Sequence, residues 1–405
     1  MTSRVVCKSA LALAIFALLL AGCGGGSSSP SAEATSTGSA PPNNVQAIAV
    51  NSGPAGQYAN GAFTSVTVCV PGTNTCQTID GVLVDTGSSG LRLLSSSVNI
   101  ALPRSSTAGA NLTECTQFQD GYTWGPVATA DVAMAGEKAS AVPIQLVGAA
   151  GTPTEPSSCS STGTAENDLS SLGANGILGV GNWRQDCGGA CTVTGSQNPG
   201  LYYSCTSSSC QITTASLVAQ VQNPIWMFSA DNNGVLIDLP AVPNSSGALT
   251  LAGSMIFGIG TQSNNSLGGA TVLTLDDFGN FTTTYNGKPY SSSFLDTGSN
   301  GYFFLDSAST GLPECTGQEA GWYCPASTTS FTATNQGSNG ASTTITFSVD
   351  NADTLFQSAN TVFPTLAGDN AGSFDWGLPF FYGRKVFTAI ESQTTPAGAG
   401  PWVAY

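Results

Sequence analysis

Two short stretches of the chain carry nearly the same residues in the same order, Asp85-Thr86-Gly87-Ser88-Ser89-Gly90 and Asp296-Thr297-Gly298-Ser299-Asn300-Gly301. Each follows an apolar run, Val82-Leu83-Val84 or Phe294-Leu295, and each leads into another, Leu91–Leu94 or Tyr302–Leu305. An aspartate at the end of an apolar strand, gripped by small hydroxyl residues and glycine, is a carboxylate fixed in space. Two such carboxylates held together cannot both ionise easily, so they share a proton. The ionised one can take a proton from water while the protonated one polarises a carbonyl. Such a pair titrates as a unit, with activity favoured at acid pH. Gly87 and Gly298 allow the sharp backbone that the loops need. Thr86, Ser88, Thr297 and Ser299 supply hydroxyls to orient the acids. The chain has no histidine, which excludes Ser-His-Asp and Cys-His catalysis, histidine metal sites and histidine pH switches. Carboxylate chemistry is what remains.

The elements that must position these acids read as β-strands. Short apolar or alternating runs, broken by Gly, Asn, Pro and Ser, recur through the body: residues 45–50, 63–70, 78–84, 127–134, 142–147, 234–239, 248–257, 271–275, 280–285 and 343–349. Asn286-Gly287 signals a tight hairpin turn. A strand is expected over Lys385–Ile390, and one helix over Ala215–Gln222, with Leu217, Val218 and Val221 on one face. A coarse repeat is also visible. Each Asp-Thr-Gly is followed later by an apolar-apolar-Gly or aromatic-Gly cluster, Gly176-Ile177-Leu178-Gly179 in the first half and Asp375-Trp376-Gly377-Leu378 in the second. Two similar lobes, each giving one aspartate to a shared cleft, are therefore expected, with Cys187–Cys210 as an insertion in the first.

With 405 residues the chain can bury a large core. Only 8% of residues are charged, against about a quarter in ordinary domains. Solubility must come from Ser, Thr, Asn and Gly, as on an extracytoplasmic β-protein. The net charge of −15 excludes nucleic acid as a partner, because phosphate binding needs Lys and Arg. At the N-terminus, Arg4 and Lys8 precede an apolar run, Ala10–Leu20, that closes in Leu20-Ala21-Gly22-Cys23. The run is short for a membrane span and its flanks fit a signal peptide. Residues 24–44 are Gly, Ser, Ala, Thr and Pro with almost no large apolar side chains, a flexible tether. Beyond Cys7 and Cys23 there are ten further cysteines, an even number that in an exported chain implies disulfides. Cys69/Cys76 and Cys315/Cys324 are spaced to close small loops, and Cys115 can join Cys159. Cys187, Cys191, Cys205 and Cys210 can pair locally, nest, or hold zinc.

At these residues the sequence resembles the pepsin-like, two-lobed aspartic proteases, in order over most of the chain. Thr78–Leu94 looks like the first catalytic strand and loop, and Gly121-Tyr122-Thr123-Trp124-Gly125 like the tip of a flap hairpin. Ala174–Gly179 resembles the motif behind the first aspartate, with Asn175 where the family has Asp. Ser254–Gly260, Thr271–Gly298 and Trp376–Ile390 resemble segments leading into and closing the second lobe. Leu-Ala-Gly-Cys resembles the lipobox of bacterial lipoproteins, and the chain is similar to a group of such lipoproteins with paired Asp-Thr-Gly-Ser motifs.

The resemblance implies an all-β, bilobal fold, with the first lobe over residues 45–235 and the second over 236–405, after a signal peptide (1–22) and the tether (23–44). It implies an aspartic endopeptidase without a cofactor or metal. Asp85 and Asp296 would be the catalytic dyad. Thr86 and Thr297 would hydrogen-bond across the lobes, and Ser88 and Ser299 would hold the outer aspartate oxygens. Tyr122, with Trp124 second, would cover the substrate, a peptide or unfolded protein. Cys23 would carry a lipid that anchors a monomer in the cell envelope, expected at the outer membrane. Where the family has Asn-Leu-Trp the chain has Gly90-Leu91-Arg92, and a cation at Arg92 near the dyad would favour ionised carboxylates. The alternative is a catalytically inert peptide- or glycan-binding lipoprotein on the same fold, using aromatics such as Trp124, Trp183, Tyr202, Tyr203, Trp226, Trp322 and Trp376. Asp276 and Asp277 offer too few oxygens for calcium and read as a turn.

Overall fold

The computed structural model describes residues 43–107 and 109–405. The expected signal segment, Cys23 and nearly all of the expected tether lie outside the described residues. Strands dominate, and the longest helical segments, Ala352–Phe356 and the 3-10 turn Gly188–Thr192, run five residues. The all-β expectation holds. Among the described residues no helix is long and apolar enough to cross a membrane.

In the first half the strands are β1 (Val45–Asn51), β2 (Gly61–Cys69), β3 (Cys76–Asp85), β4 (Ser89–Leu94), β5 (Ala110–Gln117), β6 (Gly121–Met134), β7 (Glu137–Val147), β8 (Gly176–Val180) and β9 (Tyr202–Cys205). Strand β3 ends at Asp85, and β4 leaves the loop. Strand β8 lies between them, parallel to β3 with Gly179 opposite Asp85, and antiparallel to β4 with Gly179 opposite Gly90. All five residues of β8 are buried, which is why it reads as a continuous apolar run rather than an alternating one.

The second half holds β10 (Gly234–Leu239), β11 (Leu251–Phe257), β12 (Phe281–Tyr285), β13 (Lys288–Leu295), β14 (Tyr302–Leu305), β15 (Thr329–Gln336), β16 (Ser342–Val349), β17 (Asn370–Trp376), β18 (Arg384–Ala389) and β19 (Trp402–Ala404). Strand β13 runs into Asp296 and β14 leaves the loop. Strand β17 lies parallel to β13 and antiparallel to β14. The repeat read in the sequence is thus a repeated three-strand arrangement around each aspartate. In β15 and β16 the alternation is plain: Phe331, Ala333, Ile345 and Phe347 point inward, while Thr332–Thr346 and Thr334–Thr344 pair their hydroxyls outside. Asn286 and Gly287 turn β12 into β13, both at positive φ (50° and 77°), as a two-residue hairpin loop requires.

One layer joins the halves. Its strands run in the order β2, β1, β11, β10, β18, β19 and Val272–Thr274, antiparallel throughout. It draws on the start, middle and end of the chain. The boundary expected at residue 235 falls inside β10, which is a strand of this layer rather than a linker. A single apolar cluster extends from Ile48 and Val50 through Leu178 and Phe257 to Trp376 and Val403. Asn60 adds a polar brace. Its buried amide donates to the carbonyls of Asn300 and Phe363 and accepts from the Phe363 amide and the Tyr382 hydroxyl.

Among the described residues there are five disulfides, Cys69–Cys76, Cys115–Cys159, Cys187–Cys191, Cys205–Cys210 and Cys315–Cys324. The quartet pairs locally, so none of its sulfurs is a free thiolate for zinc. The segment expected as an insertion contributes β9, which pairs with β5.

The helix expected over Ala215–Gln222 does not form. A single turn closes where the Ala219 and Gln220 amides reach Ser216 O. The Gln220 and Gln222 side chains then take the carbonyls of Ala215 and Leu217, which a helix would bond itself, and Gln222 also takes that of Gln220. Leu217 and Val218 are exposed and only Val221 is buried.

Candidate active site

Strands β3 and β13 end side by side. The two loops that follow lock together through their threonines. The Thr86 amide donates to Thr297 Oγ1 and the Thr297 amide donates to Thr86 Oγ1, each at 3.0 Å. Thr297 Oγ1 then donates to Val84 O at 2.7 Å, and Thr86 Oγ1 makes the longer equivalent bond to Leu295 O at 3.5 Å. Both threonines are buried, so each strand end is anchored to the other by paired bonds that water cannot replace.

This lock brings the carboxyls together. The Gly87 amide donates to Asp85 Oδ1 at 2.7 Å and to Asp296 Oδ1 at 3.2 Å. One backbone N–H thus faces both inner oxygens. The Gly298 amide donates to Asp296 Oδ1 at 2.7 Å. Glycine is required here for space. A Cβ on Gly87 would lie 2.5 Å from Asp296 Cγ, and one on Gly298 would lie 2.9 Å from Asp85 Cγ. Each loop therefore grants the opposite acid its position. Outside, Ser88 Oγ donates to Asp85 Oδ2 at 2.5 Å, while Ser299 Oγ lies 3.0 Å from Asp296 Oδ2. Asp85 is buried; Asp296 keeps partial exposure beside the exposed Gly87, so the pair is reachable from solvent.

The glycines that close the repeat have a packing reason. A Cβ on Gly179 would meet Ser88 Oγ at 2.8 Å, and one on Gly377 would meet Ser299 O at 2.6 Å. Both lie directly under an aspartate loop. Asn175, in the position where a carboxylate was expected by resemblance, receives a bond from Ser97 Oγ and donates to Asp80 O.

The electrostatics follow from burial and crowding. Desolvation, then the charge of Asp85 and then that of Asp375, hold Asp296 well above the ordinary carboxylate range. Asp375 was read in the sequence only as part of the repeat. It is buried on β17 and places Oδ2 2.5 Å from Ser299 Oγ. Burial pushes it up to about 8, with Ser299 opposing and Asp85 adding. Two of the three carboxyls gathered here, Asp296 and Asp375, are thus biased toward their protonated forms. The signal for Asp375 was present in the sequence: an acid in a cluster that is otherwise apolar.

Arg92 does not touch the aspartates. Its guanidinium is buried, paired with Glu114 at 2.9 Å and Asp186 at 3.0 Å, and it donates to Ser89 O at 3.0 Å. Its reach to the dyad loop is through backbone only. Burial, the largest single effect, works against charge on Glu114, but the Arg92 charge together with hydrogen bonds from Asp186, Thr116 and Arg92 holds Glu114 below its usual range. Asp186 is pushed up by burial and by Glu114, and accepts from the Tyr202 hydroxyl. Tuning of the dyad by the Arg92 charge is therefore corrected: two acids already share that charge.

Tyr122 and Trp124 also differ from expectation. Both are almost fully buried, packed with Tyr203 and the Cys115–Cys159 and Cys205–Cys210 disulfides. Tyr122 donates to Glu155 and Trp124 to Pro153 O. The β5–β6 hairpin is present, but these aromatics anchor its far face rather than cover a substrate. A strand alternates its faces, and β9 on one edge with the 164–165 bridge on the other fixes which face turns inward. Tyr58 is a further aromatic whose surroundings include both aspartates. Its phenol is raised first by burial, then by Asp120, Glu166, Asp296 and Asp85. Tyr202, Tyr203 and Trp376 are buried too, so they offer no face to a glycan. Asp276 caps its own turn, accepting from the Phe278 and Asn280 amides.

The fold and site define an all-β protein with two similar strand–loop–strand units that bring a pair of aspartates together. The chain belongs to the family described as protein of unknown function (DUF3443), whose model matches residues 40–405. No curated protein matches it.

Proposed function

We propose that the chain is an aspartic endopeptidase on a pepsin-like, bilobal scaffold. The observation that carries this reading is the single Gly87 amide bonded to the inner oxygens of both Asp85 and Asp296. Carboxyls that close share one proton. A water held between them would lose a proton to the ionised member. The protonated member would donate to the carbonyl oxygen of the scissile bond as the tetrahedral intermediate forms, and the leaving amine would then take a proton from the pair. The interlocked threonines keep both acids in register while this happens. The substrate is a peptide or unfolded protein entering from the solvent-facing side of Asp296. The signal segment and Cys23 support a lipid-anchored, envelope location for a monomer, and the five disulfides fit an oxidising compartment.

The test is cleavage of a denatured protein between about pH 3 and 7, comparing the oxidised wild-type chain with Asp85→Asn, Asp296→Asn. Activity in the first and none in the second is expected. A folded wild-type protein that cuts nothing over this range would replace the reading with an inert binding protein on the same scaffold.

A further inference from the structure

The two halves of the site are not equivalent, and strand register shows where they part. In the first half Ile177 of β8 sits opposite Leu83, two residues before Asp85, and opposite Arg92, seven after it. In the second half Asp375 of β17 sits opposite Phe294, two residues before Asp296, and opposite Phe303, seven after it. Asp375 is therefore the counterpart of Ile177. An apolar residue on one side of the pseudo-twofold is a buried carboxyl on the other.

Ser88 serves Asp85 alone, but Ser299 Oγ stands between two carboxyls, 3.0 Å from Asp296 Oδ2 and 2.5 Å from Asp375 Oδ2. A hydroxyl carries one hydrogen and can donate to only one of them. The other contact is a hydrogen bond only if that carboxyl is protonated and donates to Ser299. The row Asp296–Ser299–Asp375 must hold a carboxylic proton. Asp375 Oδ1 is buried without a hydrogen-bond partner. An ionised Asp375 would leave half of its charge buried without a hydrogen-bond partner, whereas a neutral one leaves only a carbonyl oxygen so. The resting arrangement is Asp375 Oδ2–H donating to Ser299 Oγ, and Ser299 Oγ–H donating to Asp296 Oδ2.

We infer that Asp375 is a positioning residue and proton reserve for the dyad, acting through Ser299 to keep a proton available to Asp296 as the pH approaches neutrality. The inference rests on the aspartic-peptidase reading for its kinetic consequence. The transfer is balanced. The Asp375 proton moves to Ser299 Oγ as the serine proton moves to Asp296 Oδ2, so Asp375 ends ionised, Asp296 gains one proton and Ser299 is unchanged. Titratable groups on the packed elements are Lys288 and Tyr290 towards the start of β13, Tyr302 on β14, and Asp85 and Asp296 on the loops, while Arg384 on β18 is turned to Phe380 O and Tyr302. Of these, Asp85 is the acid that acts on Asp375.

The experiment uses the full-length chain with Asp375→Asn, which keeps the shape and a donor to Ser299 but cannot release a proton, and Asp375→Ile, which copies Ile177. Two readouts are taken. In the pH profile of kcat/KM, both variants should lose their upper limb a pH unit or more below wild type. That is about tenfold less activity near neutral pH and little change in acid. Profiles that coincide, or that fall by one factor at every pH, would overturn the inference and leave Asp375 a structural residue. The second readout needs no turnover: the infrared carbonyl stretch of protonated carboxyls near neutral pH. Wild type should show a band that weakens in Asp375→Asn, and an unchanged band would overturn the inference. A folded wild-type chain without proteolysis would sink the peptidase reading, and the infrared result would still decide where the proton sits.

Discussion

Thr86 and Thr297 exchange hydrogen bonds across the site, the amide of each donating to the hydroxyl of the other at 3.0 Å. This exchange ties two loops 211 residues apart into one centre. Replacing either by Val keeps the shape and strands a buried amide. Thr86→Val and Thr297→Val should each cost about 1–3 kcal/mol. Because both touch the same network, the double variant should cost measurably less than the sum. Urea denaturation of the four proteins checks this, and strict additivity would show that the two bonds are independent.

Gly87→Ala should disable the centre through space alone. Gly87 has no positive φ, so backbone strain is not the issue. The added methyl would sit 2.5 Å from Asp296 Cγ and must displace that carboxyl. A shift of that kind costs about a hundredfold in rate. Gly72→Ala, on an open turn where a Cβ would meet nothing, is the control: any loss there comes from backbone strain at positive φ and should leave activity per folded molecule intact. Titrating folded enzyme beside kcat/KM separates the two effects.

The buried acids make stability depend on pH with a definite sign. Asp296 and Asp375 are raised in the folded protein above their unfolded values. Folded chains then hold protons that unfolded chains have released, so stability is fully present below about pH 4 and falls as pH rises. For Asp375 the decline runs up to its folded value of about 8. Chemical denaturation across this window should show wild type losing stability with rising pH, and Asp375→Asn losing less. Equal slopes would mean that Asp375 is ionised in the folded state.

Arg92 should matter for stability and not for the dyad. Arg92→Met leaves Glu114 and Asp186 buried beside each other without their cation. Losing one partner of such a cluster typically costs about 3–5 kcal/mol. The pH dependence of kcat/KM in the surviving folded protein should match wild type. A profile displaced by the substitution would show that the Arg92 charge reaches the aspartates after all.

Much of the site was written in the sequence. The repeated Asp-Thr-Gly-Ser, each copy after an apolar run, named both acids, both glycines and all four hydroxyls, because a carboxylate at a strand end needs short-range partners that local sequence supplies. Cysteine spacing pointed to Cys69–Cys76 and Cys315–Cys324 for the same reason but left the quartet from Cys187 to Cys210 open, and strand alternation and Asn286-Gly287 are local rules. Side-chain direction and shared charge are not local. The face of β6 that turns inward was decided by β9 and by the Cys115–Cys159 bridge, which bury Tyr122 and Trp124. The fate of the Arg92 charge was decided by Glu114 and Asp186, residues remote in sequence. The helix at Ala215–Gln222 gave way to glutamine side chains that found backbone carbonyls first. Asp375 shows the division most clearly. Its sequence position marks it as an acid in an apolar strand, but only the approach of β17 to Ser299 turns that acid into part of the centre, because a hydrogen bond depends on distance in space and not on distance along the chain.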